Sequence, residues 1–328
     1  MINTAIIYLT VSCLIFFFIS KISYFLNLVD KPNKRKIHLK PTAFTGGIAL
    51  CFIYIFSIYL FDFTDRKLNL IFSAAFLISF VGFVDDKYSL NVGGKLSLQI
   101  IPIIYLILFE NFSLNQIGDY NYFKLELNTF SVPFTLLCVM LLINSFNYFD
   151  GLDGTLSVTT ISTLVILIFL VSSEKINLFL IVFLIPILIF LFFNFSILNL
   201  PKLFYGDSGS LSLGFIISFI LIYLANQKII HPILLAFSIS IFVYEFLSIN
   251  LIRTINKKGI FNAGVDHLHH ILLRRNNSLF LTNFIISITN IILFTIGYLS
   301  FILISPLTSL ILFILLFIIF FVVRKKIC

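Results

Sequence analysis

The chain has 328 residues, of which 60% are hydrophobic and 11% charged, with a mean hydropathy of +1.11 and a formal net charge of +8. No water-soluble domain of this length is so apolar, and its continuous rather than alternating apolar segments exclude a β-barrel, leaving a helical membrane protein. The surplus of cations suits anionic headgroups and anionic substrates, whereas no basic stripe interleaved with aromatics speaks for nucleic acid.

Eleven apolar stretches, each long enough for a helix to cross the hydrocarbon core, run over 2–20, 42–61, 68–84, 96–112, 132–149, 156–173, 177–196, 210–226, 232–252, 279–303 and 306–323. The fold class expected is all-α: a polytopic integral membrane protein with about 11 transmembrane helices, forming one domain over 1–328. The connections 29–41, 85–95, 197–209 and 253–278, with the tail after 323, hold sixteen of the 22 Lys and Arg, against five in the opposite loops. The positive-inside rule makes those connections cytoplasmic, with the N-terminus outside and the C-terminus in the cytoplasm. Cys13, Cys51 and Cys138 fall within spans and Cys328 is terminal, so no disulfide framework is implied. The first span lacks a basic leader and a cleavage site, and is read as a helix.

In chain order, the first cytoplasmic connection is DKPNKRKIH over 30–38, followed by Gly46 and Gly47. It reads either as a positive-inside anchor or as a cationic lid over phosphates, while the glycine pair permits close helix approach. The second, VDDKY over 84–88, places two carboxylates at a helix end with Lys95 following. In a helical turn Asp85 and Asp86 point about 100° apart. One can face a reacting group while the other binds Lys87 or orients the site. The third, NSFNYFDGLDG over 144–154, spaces Asn144, Asn147, Asp150 and Asp153 at i,i+3 on one strip, suited to ribose hydroxyls, a base edge or Mg²⁺. Next, FYGDSGS over 204–210 offers backbone N–H groups and hydroxyls to phosphate oxygens, and Asp207 can hold the cation that phosphates need. Last come His267, His269 and His270, flanked by Asp266 and by Arg274 and Arg275. They lack the partner ligands of a zinc site and read as anion recognition or as a solvated loop.

Eight of the fourteen carboxylates lie on the cytoplasmic half, and of these only Glu245 sits well inside a span, about two turns from Arg253. An ion-coupled transporter would place ionisable groups near the midplane. Loop carboxylates on one face favour an interfacial enzyme.

Taken together and in order, DKPNKRKIH, GG, DDKYS, NSFNYFDGLDG, FYGDSGSLSLG and HLHH resemble the polyprenyl-phosphate N-acetylhexosamine-1-phosphate transferases, over roughly residues 28–275. The HLHH form looks like the branch that uses UDP-N-acetylhexosamines and undecaprenyl phosphate. The resemblance implies a bacterial inner (plasma) membrane enzyme with its active site on cytoplasmic loops. The phosphate of a polyprenyl phosphate would attack the β-phosphorus of a UDP-sugar, releasing UMP and starting a lipid-linked glycan. Asp207 and Asn147 would hold Mg²⁺, with Mn²⁺ as an alternative. Asp85, backed by Asp86, would orient or deprotonate the lipid phosphate. Asn144, Asp150, Asp153, His267, His269 and His270 would bind the nucleotide sugar, with Lys36, His38 and Lys87 as cationic support. A homodimer stays open. Two departures, Glu245 in place of an Asp and Asp266 directly abutting His267, touch recognition of the sugar. The alternatives are a phospho-N-acetylmuramoyl-pentapeptide transferase and a transporter of lipid-linked sugar.

Overall fold

The computed structural model describes residues 2–32, 40–63, 65–259, 264 and 266–327. It is 78% helical, and a helix occupies each of the eleven apolar stretches. The helices are α1 (Ile2–Phe25), α2 (Gly46–Phe61), α3 (Arg66–Tyr88), α4 (Val92–Ile104, continued by a π-turn over Tyr105–Phe109), α5 (Ser131–Phe149), α6 (Thr155–Leu170), α7 (Glu174–Asn194), α8 (Gly206–Asn226), α9 (Pro232–Ser238), α10 (Ser240–Ile255), α11 (Leu268–Asn276), α12 (Leu279–Leu303) and α13 (Pro306–Ile327). Among the described residues, eight helices are long and apolar enough to cross a membrane, or nine with the bent pair α9–α10. Helices α2 and α6 are apolar but shorter. The chain is a multi-pass membrane protein.

Helix α8 is the centre, with its apolar window wholly buried, and α3, α5 and α2 pack directly on it. Two glycines make this approach feasible. A Cβ on Gly47 would strike the backbone of Gly209, and one on Gly82 the backbone of Asp207 and Ser208. Small residues at such crossings let backbones close up where lipid supplies no hydrophobic drive. Gly47 therefore has the packing role its sequence pattern predicts. Around α8 the core is aromatic, with Tyr54 on Phe72 (4.7 Å), Phe72 on Phe179 (4.4 Å) and Phe146 on Phe242 (4.0 Å).

The ninth stretch, 232–252, is not one straight helix. It breaks at Ile239, and α10 departs from α9 by 72°. A break frees backbone groups that lipid cannot satisfy. Asn290 of α12, fully buried, takes them up: its Nδ2 donates to Ser238 O (3.1 Å) and its Oδ1 accepts from Ile241 N (3.4 Å). The same amide donates to Ser162 Oγ (3.0 Å), and Thr155 donates to Asn283 Oδ1 (2.6 Å). Polar residues of α6 are thus spent on α12 as interhelical glue.

Among the described residues, four short strands complete the fold. β1 (Val29–Asp30) pairs antiparallel with β2 (Thr42–Ala43), and Ala43 bridges in parallel to Leu203. Phe204 N donates to Ala43 O (2.8 Å) and Gly46 N to Phe204 O (2.9 Å), so the first connection is stitched to the start of α8. On the opposite side the hairpin of β3 (Gln116–Asp119) and β4 (Lys124–Glu126) packs against His231. His231 Nδ1 accepts from Ile233 N and caps α9.

Candidate active site

The site is built on the first turn of α8. Gly206 has φ +66°, a left-handed conformation that costs other residues strain. A side chain there would also run into Asp86 and Phe44 O. The turn swings Asp207 under the end of α3. There Asp86 caps α8 from another helix, its Oδ1 accepting from Asp207 N (3.1 Å) and its Oδ2 lying 3.5 Å from Ser208 N. Carboxylates favour this position because a helix N-terminus is electropositive. The expectation that these N–H groups serve phosphate oxygens is therefore corrected. Asp86 occupies them, Ser208 Oγ donates to Tyr205 O, and Ser210 accepts from Asn147.

Asp85 goes elsewhere, as the 100° separation requires. Its Oδ1 accepts from Leu90 N (2.8 Å) and its Oδ2 pairs with Lys95 Nζ (2.8 Å). Lys95 also contacts Asp207 Oδ2, bridging the two carboxylates. This return is local geometry. Ser89, left-handed at φ 51°, ends α3, and Asn91 caps α4 through Gly94 N (2.7 Å), so Lys95 comes round one turn later facing Asp85. Lys87, the cation expected at this pair, is exposed and lies over the Tyr88 ring instead. Lys95 is a candidate site residue that sequence reasoning undervalued; the closely spaced Ser89 and Asn91 caps are the signal for it.

Helix α5 supplies the facing wall. Asn147 Nδ2 donates to Asp207 Oδ1 (2.8 Å) and to Ser210 Oγ (2.9 Å), which orients the carboxylate. Asn144, one turn earlier, donates to Met140 O (2.8 Å) and to the buried Gln99 (3.3 Å), and so faces α4. Asp150 follows the helix end. Desolvation first, then the charges of Asp207, Asp86 and Asp153, push its carboxyl well above the usual range. Asp153 pairs with Lys202 (2.5 Å), and its loop is held by Asn283 to Asp153 O (2.9 Å) and by Gly154 N to Asn194 Oδ1 (2.7 Å). Lys36 and His38 lie outside the described residues.

His267, His269 and His270 open α11 and close on that same loop. A Cβ on Gly151 would collide with His269 Nε2 and approach His270 Nε2 to 3.1 Å, so this position needs glycine. The His269 and His270 rings lie 4.3 Å apart, and His267 packs on Tyr148 at 4.7 Å. His267 Nδ1 and His269 Nε2 are buried without a hydrogen-bond partner among the described residues. Burial first, then neighbouring cations, lowers all three imidazoles, His267 to about 4, so the cluster is neutral at pH 7.

Two ion pairs anchor α11. Arg253 pairs with Asp266 (2.7 Å), and Glu245 pairs with Arg324 (2.8 Å), the latter two side chains each 1% exposed. Glu245 also accepts from Leu268 N (2.8 Å), and Arg324 donates to Asp266 O. The partner of Glu245 is thus Arg324 of α13, not the Arg253 nearby in sequence. For Asp266, burial acts upward, but the Arg253 guanidinium outweighs it and holds the carboxyl at about 2.

No three His, Cys, Asp or Glu side chains form a closed metal cage among the described residues. Magnesium seldom uses one; it takes one or two carboxylates and completes its shell with water and substrate phosphates. Asp85, Asp86 and Asp207 bring carboxylate oxygens together, two of these carboxylates already converge on one cationic group, the Lys95 ammonium, and Asn147 meets Asp207 through its amide nitrogen. This set fits a hard divalent cation.

Residues 68–225 match the model for glycosyl transferase family 4. The undecaprenyl-phosphate alpha-N-acetylglucosaminyl 1-phosphate transferase of Escherichia coli (strain K12) is 26% identical over 268 residues, covering 80% of this chain and 73% of that protein. Its namesake from Yersinia pestis is 26% identical over 280 residues, covering 83% and 77%. A Bacillus subtilis (strain 168) protein named "Probable undecaprenyl-phosphate N-acetylglucosaminyl 1-phosphate transferase" is 30% identical over 297 residues, covering 84% and 80%.

Proposed function

Since the chain belongs to glycosyl transferase family 4, we propose that it transfers N-acetylglucosamine 1-phosphate from UDP-N-acetylglucosamine to undecaprenyl phosphate. The observation that carries this reading is the meeting of Asp85, Lys95, Asp207 and Asn147 at the start of the central helix. The names of relatives from distant bacteria support the choice of sugar and lipid. The reaction places the protein in a bacterial inner membrane. We take α2, α6 and the bent α9–α10 pair as spans, giving eleven with the N-terminus outside and the site on the cytoplasmic side.

In the reaction a lipid-phosphate oxygen bonds to the β-phosphorus. The bond from that phosphorus to the bridging oxygen breaks, and its electron pair leaves with UMP. Such a transfer depends on positioning and charge neutralisation rather than new covalent machinery. Asp207, oriented by Asn147, would hold Mg²⁺, or Mn²⁺ in its place, which supplies charge neutralisation for the diphosphate oxygens when bound. Lys95 keeps Asp85 and Asp207 together against their repulsion. Asp85 orients the lipid phosphate or takes its proton, and Asp86 acts through the α8 turn that it caps. Asp150 and the neutral imidazoles line the nucleotide-sugar side, whereas Asn144, expected there too, is turned towards Gln99 of α4. Asp153 and Lys202 hold the loop between them, and Lys36 and His38 add cationic support.

The test is UMP release by purified protein given undecaprenyl phosphate and a panel of UDP-N-acetylhexosamines. Lipid-dependent release from UDP-N-acetylglucosamine, lost in EDTA and restored by Mg²⁺, is expected. Release without lipid, or from none of the donors by folded protein, would overturn the reading.

A further inference from the structure

Beside α11, on the far side of the Arg253–Asp266 pair in sequence from His267, a cavity of about 590 Å³ opens between the ends of α10, α11 and α13. Arg253, Lys258, Arg274, Arg275 and Lys325 line it, with Asp266 as the one carboxylate among its described lining residues. The volume is that of a small-molecule site rather than a surface dimple. Arg253 is 3% exposed and already engaged by Asp266. The other four cations come from three segments and are exposed. A positive-inside anchor needs cations spread along a loop; it does not need them gathered in one concavity, where they repel one another and focus the local field.

We propose that this cavity is a phosphate-binding site at the membrane surface, occupied by the headgroup of an anionic phospholipid. Three observations point to that class. The lining carries a net surplus of four positive charges, from five cations and one carboxylate. Two of its three elements, α10 and α13, are the ends of apolar helices, where headgroups lie. Its apolar contributors, Ile252, Ile255, Ile271 and Ile327, suit an acyl chain more than a soluble anion. Basic pockets between transmembrane helices recognise acidic headgroups through the same balance. The site is separate from the Asp85–Lys95–Asp207 cluster and does not depend on the reaction catalysed there.

The experiment counts lipid retained by delipidated full-length protein in native mass spectrometry, with phosphatidylglycerol, phosphatidylcholine or inorganic phosphate as the probe. One variant carries Gln at Lys258, Arg274, Arg275 and Lys325. A control carries Gln at Lys31, Lys40, Lys257 and Lys326, which are exposed cations outside the cavity lining. Phosphatidylglycerol affinity should fall by at least about tenfold in the first variant only, with phosphatidylcholine bound no better than by that variant. An equal loss in both variants would overturn the cavity, leaving only net charge. Unchanged retention in the first variant would overturn it as well. Cavity-dependent binding of inorganic phosphate without binding of phosphatidylglycerol would overturn the lipid assignment.

Discussion

The two charged regions at this end of the molecule are built on opposite rules. Around α11 every described carboxylate has its own guanidinium: Glu245 has Arg324 and Asp266 has Arg253. Around the first turn of α8, Asp85 and Asp207 share the ammonium of Lys95 while Asp86 caps the turn through backbone N–H groups, with Asp150 close enough to add its repulsion. In the first region both carboxylates are paired, and the pairs serve to hold the His cluster in place. The second gathers more carboxylates than described cations, which is the imbalance that the proposed divalent cation would offset. Charge balance, more than burial, separates scaffold from chemistry here.

The sharpest way to break the comparison is to remove charge from the unbalanced side. Asp207→Asn should lower turnover by about 10³-fold with little change in melting temperature, because loss of one electrostatic contact in a transfer site costs that much. In the balanced region the same kind of change should act on stability. Arg324→Met strands Glu245 in a buried site and should cost about 3–5 kcal/mol, read as a lower apparent melting temperature in detergent. The double variant Glu245→Met, Arg324→Met should recover most of that loss, since a buried pair replaced by apolar groups is often neutral. If the double variant is as unstable as the single, the pairing account is wrong.

Lys95→Met sits between these extremes. It should cost about 10²-fold in turnover, because Asp85 and Asp207 lose the charge that holds them together, and Lys95→Arg should restore part of it. The smallest effect concerns pH. His267 titrates near 4 in the fold, below its ordinary value, because burial and then Arg253 disfavour the imidazolium. Its contribution to stability is present above about 6.5 and is lost as pH falls through 4. A melting-temperature profile should therefore decline over that window, and His267→Asn should flatten the decline.

Much of this arrangement was legible in the sequence. Every apolar stretch coincides with a helix, since length and hydropathy are local properties. Asn147 meets Asp207, the pair that the family resemblance singled out, though by a direct hydrogen bond, and the His cluster lies against the Asp150 loop. What was hidden depends on contacts from distant elements. The 72° break at Ile239 lies within an unbroken apolar run, and its missing hydrogen bonds come from Asn290 about fifty residues on. Arg324 stands beside Lys325 and Lys326 and reads as part of a positive-inside tail. Only the docking of α13 on α10 turns it inward to Glu245. Asp86 looked like a reserve catalyst, yet its place is set by the α8 turn it caps, a partner more than a hundred residues away. Lys36 and His38 lie outside the described residues.

The central claim is that phosphosugar transfer takes place at the charge-deficient turn of α8. The direct measurement uses UDP-N-acetylglucosamine labelled at the β-phosphate, undecaprenyl phosphate, Mg²⁺, and either wild-type protein or Asp207→Asn. The account predicts label in the lipid fraction and unlabelled UMP with wild-type protein, and almost no labelled lipid with the variant. Label retained in released UDP, or equal labelling of lipid by both proteins, would contradict it.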